Sequence, residues 1–259
     1  MRSVVGELAP AVVINCAAWT AVDAAERDTA GCFASNAAAV AALAAACSDA
    51  DALFVQVSSD YVFGADTARQ RPYREDDAPG PLGVYGRSKL AGEAAARACP
   101  RHLVVRTCGL YSVGPAGPVR GRCFADTMLV LGRERDRLKV VDDQHCTPSY
   151  VPHVAEAILE LAARGATGLF HVTNAGATTW HGFASALLTA AGVGTPVDPI
   201  PSSDYPLPAP RPAYSVLDIS RLAGVGIEMP DWRAGVSDYV SELRHTSPIL
   251  ERVPCVQSS

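Results

Sequence analysis

VVINCAAWTAVDAAE, residues 12–26, is the stretch on which the reading of the fold turns. Val12, Val13 and Ile14 are apolar and β-branched with no polar residue between them, the mark of a short strand buried on both faces. Small and polar residues at 15–20 form a loop, and a helix follows. Only eleven residues precede the strand, which leaves little room for anything ahead of it.

Further along, the same alternation repeats. Apolar runs at 53–58, 102–106, 138–141 and 169–172 read as strands, and helical patterns fill 29–47, 83–98, 122–135 and 151–163. The last has Pro152 in its first turn, where a missing N–H costs nothing. Unalternated strands separated by helices predict an α/β chain with a doubly wound parallel sheet of Rossmann type. After residue 175 the texture changes. Helices predicted at 179–191 and 231–244 flank PVDPIPSSDYPLPAPRP, residues 196–212. Aromatic and arginine residues inside that stretch favour an ordered wall over a linker. The expectation is therefore a dinucleotide-binding domain over 1–175 and a smaller substrate-binding lobe over 176–259, interleaved with the first.

Composition narrows the function. The 259 residues are 49% hydrophobic and 19% charged, with a net charge of -5. No Lys/Arg-rich run is present, so neither nucleic acid nor an anionic membrane is an expected partner. The longest apolar run, 37–47, is well short of the ~20 residues of a membrane span and predicts a packed helix. Arg2 precedes apolar residues, but Glu7, Pro10 and Asn15 interrupt any signal sequence. Eight cysteines without a CxxC pair fit reduced thiols in a cytoplasmic protein.

The strongest local signal is VYGRSKLAGE, residues 84–93. Tyr85 and Lys89 lie four apart and share one helix face. A phenol is a poor proton carrier at neutral pH unless a neighbouring cation favours its phenolate. Of the 22 basic residues only Lys89 and Lys139 are lysines, which makes their placement informative. The second signal is VQVSSDYVFG, residues 55–64, where a buried strand ends in Ser58, Ser59 and Asp60. Ligands of parallel sheets bind at the carboxyl ends of strands, so a serine there suits a carbonyl oxygen; alone, the pair reads equally as loop caps. His145, Cys146 and His153 complete no zinc-like set, so no metal is expected. His171 reads as a core residue and Asp142-Asp143 as an exposed acid pair.

Together with VVRT (104–107), FADTML (124–129), VVDDQHCTPSY (140–150), GLFHVTNAGATTWHGFA (168–184) and RPAYSVLD (211–218), these stretches resemble the extended short-chain dehydrogenase/reductases, in the branch that reduces nucleotide-linked 4-keto sugars. The motifs occur in the family's order from residue 4 to about 240. The resemblance implies a role for each residue. Tyr85 would give a proton to the sugar carbonyl, and Lys89 would lower the Tyr85 pKa and hold the nicotinamide ribose. Ser59 would bind the carbonyl oxygen and Asp60 would contact the sugar. Ala18, Trp19, Thr20 and Val57 would line the cofactor, NADPH or NADH, and Arg211 would help hold the nucleotide. The substrate implied is a nucleotide-linked 4-keto deoxysugar, and the assembly expected is a homodimer.

Two departures stand out. The family often has serine and a substrate-packing tryptophan after VVRT, whereas this chain has Cys108 and Gly109, which leaves the identity of the deoxysugar open. Family members also carry a glycine-rich GxxGxxG loop in a βαβ segment before the strand at 12–15. Gly114, Gly117 and Gly121 sit in a proline-rich loop and are no replacement. Residues 1–259 alone are thus expected to have an N-terminally truncated sheet and to bind NAD(P)H poorly. A catalytically silent subunit, resembling the regulatory subunit of methionine adenosyltransferase, is the alternative; Ser59, Tyr85 and Lys89 favour the reductase.

Overall fold

Strands Val12–Asn15, Leu53–Ser59, His102–Thr107 and Gly168–His171 pair side by side in that order, every pair parallel. The computed structural model describes residues 2–114 and 122–246, so Gly117, Gly121 and Cys255 lie outside the described residues. Successive side chains on a strand point to opposite faces, and the packing follows that period. Leu53, Val55, Leu103 and Val105 meet the helix Val151–Ala163 on one face. Phe54 and Val104 meet Val40, Ala44 and Cys47 on the other. Both faces are covered, which is why the strands carry no polar alternation.

The run Thr29–Asp49 is long and apolar enough to cross a bilayer by length and composition. Here it lies along the sheet, with Val40, Ala44 and Cys47 in the core. It is not a uniform α-helix, because Ala34–Ala38 form a π-helical turn. A short helix, Arg2–Leu8, precedes the first strand; its seven residues were too few to register as a periodic pattern.

One expected strand joins a different layer. Leu138–Val141 is absent from the four-stranded sheet and pairs in parallel with Val197–Ile200. Its burial alternates, with Leu138 and Val140 inside and Lys139 outside, so it covers one face of a second core. Pro199 is tolerated in its partner because that strand is an edge. The second core takes Met128 and Leu129 from Phe124–Glu134, Phe183 and Leu187 from Trp180–Ala190, and Tyr239 and Leu243 from Trp232–Thr246. Residues on both sides of position 175 therefore build it.

A returning segment, 209–218, ties the two cores together. The Ala209 amide donates to Asp23 Oδ1 at 3.1 Å, the Tyr73 amide to the Val216 carbonyl at 2.8 Å, and the Ser215 amide to the His145 carbonyl at 2.8 Å. The proline-rich stretch is thus an ordered wall that passes over the carboxyl ends of the strands.

Candidate functional site

The helix Val84–Ala96 carries Tyr85 and Lys89, and its seating explains their depth. No side chain of its own caps the N-terminus; instead Glu26 Oε1 accepts from the Val84 amide at 2.7 Å. A carboxylate there satisfies an orphan donor and complements the positive end of the helix. Gly86 and Gly92 then allow two backbone contacts. A Cβ on Gly86 would lie 2.2 Å from the Tyr61 carbonyl oxygen, and one on Gly92 would lie 2.1 Å from that of Asn36. Each glycine weakens the helix by ~1 kcal/mol relative to alanine, and in exchange the helix lies directly on the strand end and the π-helical turn.

Ser59, the last residue of its strand, meets the helix there. Its hydroxyl accepts from the Tyr61 amide at 3.1 Å, lies 3.0 Å from Asp60 Oδ1, and faces the Tyr85 phenol closely enough to favour its ionised form. Asp60 is 3% exposed, and its Oδ2 accepts from the Cys108 thiol at 3.1 Å. Tyr61 stands edge-on to Tyr85 with ring centroids 5.7 Å apart. Lys89 is buried and donates to the Val57 carbonyl at 2.7 Å, an oxygen that also accepts from Gln56 Nε2 at 2.8 Å. Three predicted residues from two separate motifs, Ser59, Tyr85 and Lys89, thus come together with Val57.

Electrostatics alter one expectation. Burial pushes the Tyr85 phenol up to about 12, against a smaller opposing pull from the Ser59 hydroxyl. The Lys89 ammonium is turned to the Val57 carbonyl. Lys89 itself is lowered to about 8 by burial, which outweighs the opposing Glu93 charge. Tyr85 is therefore a protonated donor at neutral pH and Lys89 a cation.

Trp19 is half-buried in a cluster with Tyr85, Val84 and Cys32, and its indole N–H donates to the Ala21 carbonyl at 3.0 Å. Ala18 is half-buried beside it and Thr20 is exposed. Asn36, just ahead of the apolar run 37–47, fixes this loop. Its side chain accepts from the Trp19 amide at 2.9 Å, donates to the Trp19 carbonyl at 3.2 Å and donates to Ser88 Oγ at 2.9 Å. Ser88 in turn donates to the Tyr85 carbonyl at 2.7 Å. One buried amide in the π-helical turn joins the loop at 18–20 to the helix that carries Tyr85 and Lys89.

A cavity of about 440 Å³ opens next to Tyr61. Trp180, Phe124 and Tyr205 give it aromatic walls, while Arg135, Lys139 and Arg211 give it three cations and no lining residue is acidic. Arg211 is steered by Asp23, whose Oδ2 accepts at 2.9 Å, and its guanidinium lies 6.0 Å from the Tyr61 ring centroid. Gly109 has φ +54°, and a Cβ there would be 3.1 Å from Pro148 Cα and 3.3 Å from Trp180 Cη2. An aromatic wall is therefore present, supplied by Trp180 and not by position 109.

The residues fit a nicotinamide cofactor on their own chemistry. Lys89 has three donor protons, and one is used on Val57 among the described contacts, which leaves two for ribose hydroxyls.

Comparison with known proteins agrees with this geometry. Residues 1–245 match the family described as RmlD substrate binding domain. The dTDP-4-dehydrorhamnose reductase of Burkholderia thailandensis is 42% identical over 94% of this chain and 85% of its own length. That of Salmonella typhimurium is 37% identical over 95% and 84%. The crystal structure of the Bacillus anthracis dTDP-4-dehydrorhamnose reductase in complex with NADP superposes with a TM-score of 0.87 at 34% identity, covering 93% of this chain and 84% of that one.

Proposed function

The chain belongs to the RmlD substrate binding domain family, and on that premise we propose that it reduces the 4-keto group of a dTDP-linked deoxysugar with NADPH, turning dTDP-4-dehydrorhamnose into dTDP-rhamnose. The observation that carries this reading is the convergence of Ser59, Tyr85 and buried Lys89 at one strand end. A silent subunit would have no use for a protonated phenol held against a hydroxyl.

Bound NADPH supplies the hydride that C4 of the sugar accepts. The chain does the rest. Tyr85 donates its phenolic proton to the C4 oxygen, and the Ser59 hydroxyl hydrogen-bonds the same oxygen as charge gathers on it. Lys89 holds the nicotinamide ribose, and Ala18, Trp19, Thr20 and Val57 line the ring's side of the site. The cavity beside Tyr61 takes the nucleotide, with Arg135, Lys139 and Arg211 suited to a diphosphate and Trp180, Phe124 and Tyr205 to a flat base. The sheet part thus serves the cofactor and the second core serves the sugar nucleotide.

The test is loss of NADPH absorbance on adding dTDP-4-dehydrorhamnose, with the product identified by mass and sugar analysis. No consumption by the folded protein, at NADPH concentrations raised to offset the weak binding expected without a glycine-rich loop, would reject the reading.

A pH prediction follows from Lys89. Its folded pKa is depressed to about 8, so the cation is present below that value and lost above it. The rate constant kcat/KM is expected to fall as pH rises through about 8, and Lys89→Arg is expected to move that limb upward because guanidinium keeps its proton. Profiles of kcat/KM for both proteins check this; an unmoved limb assigns it to another group.

A further inference from the structure

Asp60 is a carboxyl group in a setting that offers it no cation. It is 3% exposed. Its partners are Ser59 Oγ at 3.0 Å, the Cys108 thiol at 3.1 Å and the Ser215 hydroxyl. The other titratable groups around it are the Cys146 thiol and the Tyr61 and Tyr85 phenols, all neutral at pH 7 when protonated. Arg211, whose guanidinium lies 6.0 Å from the centroid of the adjacent Tyr61 ring, is already paired with Asp23. A buried carboxylate without a counter-charge is costly, and the neutral acid is the usual resolution. Burial raises the Asp60 pKa, in line with that rule.

The proton count on Ser59 makes this matter. A serine hydroxyl has one proton and two lone pairs. One lone pair accepts from the Tyr61 amide at 3.1 Å. With Asp60 ionised, the one Ser59 proton goes to Asp60 Oδ1 and none is left for a carbonyl oxygen. With Asp60 protonated, the direction reverses: the acid donates to the second lone pair, and the Ser59 proton is forced outward, toward Tyr85 in the free protein and toward the C4 oxygen in the complex.

We propose that Asp60 is held as a neutral carboxylic acid, donates its proton in a hydrogen bond to Ser59 Oγ, and thereby fixes the Ser59 hydroxyl as a donor to the reacting oxygen. Asp60 is on this view a positioning residue that acts on the reacting oxygen through Ser59. The role of Ser59 rests on the reductase reading above; the protonation of Asp60 does not.

Two measurements test it on the full chain. The first is an infrared difference spectrum at pH 7 between the unmodified protein and Asp60→Asn, in H₂O and D₂O. A carboxylic-acid C=O band that shifts in D₂O and is missing from the variant is the expected result. The second is steady-state reduction. Asp60→Val, which removes the donor, is expected to lower kcat by about a hundredfold, near the effect of deleting one oxyanion donor. Asp60→Asn, whose amide N–H also donates to Ser59, is expected to recover most of that loss, to within about fivefold of the unmodified protein; the loss falls on kcat, since the hydrogen bond strengthens only as charge builds. Absence of the band overturns the proposal. So does Asp60→Asn falling as far as Asp60→Val, or Asp60→Val losing nothing. A clear band in a protein that reduces no sugar nucleotide supports the neutral acid and rejects the reductase reading instead.

Discussion

Replacing Tyr85 with phenylalanine is expected to reduce kcat by about a thousandfold, the middle of the range for losing a positioned general acid. The ring stays, so its edge contact with Tyr61 at 5.7 Å and its packing against Trp19 remain. What disappears is one hydroxyl that carries a proton at every accessible pH, since burial holds it near 12. The Ser59 hydroxyl loses one neighbour and keeps the Tyr61 amide and Asp60. Stability should therefore move by no more than about 1 kcal/mol, the net worth of a typical hydrogen bond. Rates measured by NADPH oxidation alongside a thermal melt separate the two effects. Activity within a few-fold of the unmodified protein would show that the proton comes from elsewhere.

The second large effect concerns stability. Arg106→Leu is expected to destabilise the fold by about 3–5 kcal/mol, the cost of taking the main partner from a buried carboxylate, which among the described residues keeps only the half-exposed Arg97 as a salt-bridge partner, at 3.2 Å. Arg106 and Glu93 are 1% and 0% exposed. They form a bidentate pair, Nε to Oε1 and Nη2 to Oε2, both at 2.8 Å. Ser58 Oγ also donates to Glu93 Oε1, at 2.7 Å. His171 beside the pair is neutral in the intact protein, where burial and the Arg106 charge bring it down to about 4. Glu93 sits one turn beyond Lys89, so the loss would also loosen the catalytic helix against its strand. Denaturant unfolding measures the change. The double variant Glu93→Leu, Arg106→Leu should recover part of the loss, since removing both charges leaves none stranded; a double variant as unstable as Arg106→Leu would mean packing, and not the stranded charge, sets the cost.

Much of this was legible in the chain. Runs such as Phe54, Val55 and Val104, Val105 carry a sheet buried on both faces in their composition alone. Tyr85 and Lys89 were legible because helix periodicity puts them on one face, and both lysines of the chain do lie at the site, Lys139 on the cavity wall. The rest depends on partners distant in sequence. Leu138–Val141 reads as a strand, but nothing local says that it pairs with Val197–Ile200 and not with the main sheet. The spacing of Tyr85 and Lys89 gives their proximity but not the direction of the ammonium, which is turned to the Val57 carbonyl. Asn36 left a trace that went unused: a lone amide at the edge of an alanine-rich helix is costly to bury unless it holds something. What it holds, the Trp19 backbone, is visible only in three dimensions.

The returning segment 209–218 has a consequence for how the protein is made. Synthesis runs from the N-terminus at about 5–20 residues per second, so Ser59, Tyr85 and Lys89 leave the ribosome well before Arg211 and Ser215. Until that late stretch docks, Asp23 has no Arg211 and the Tyr73 backbone has no Val216 to bond. The nascent chain thus holds its catalytic trio early and gains its substrate wall last. A message truncated before residue 209 would yield a polypeptide with the catalytic trio in its sequence and no wall to present a sugar to it.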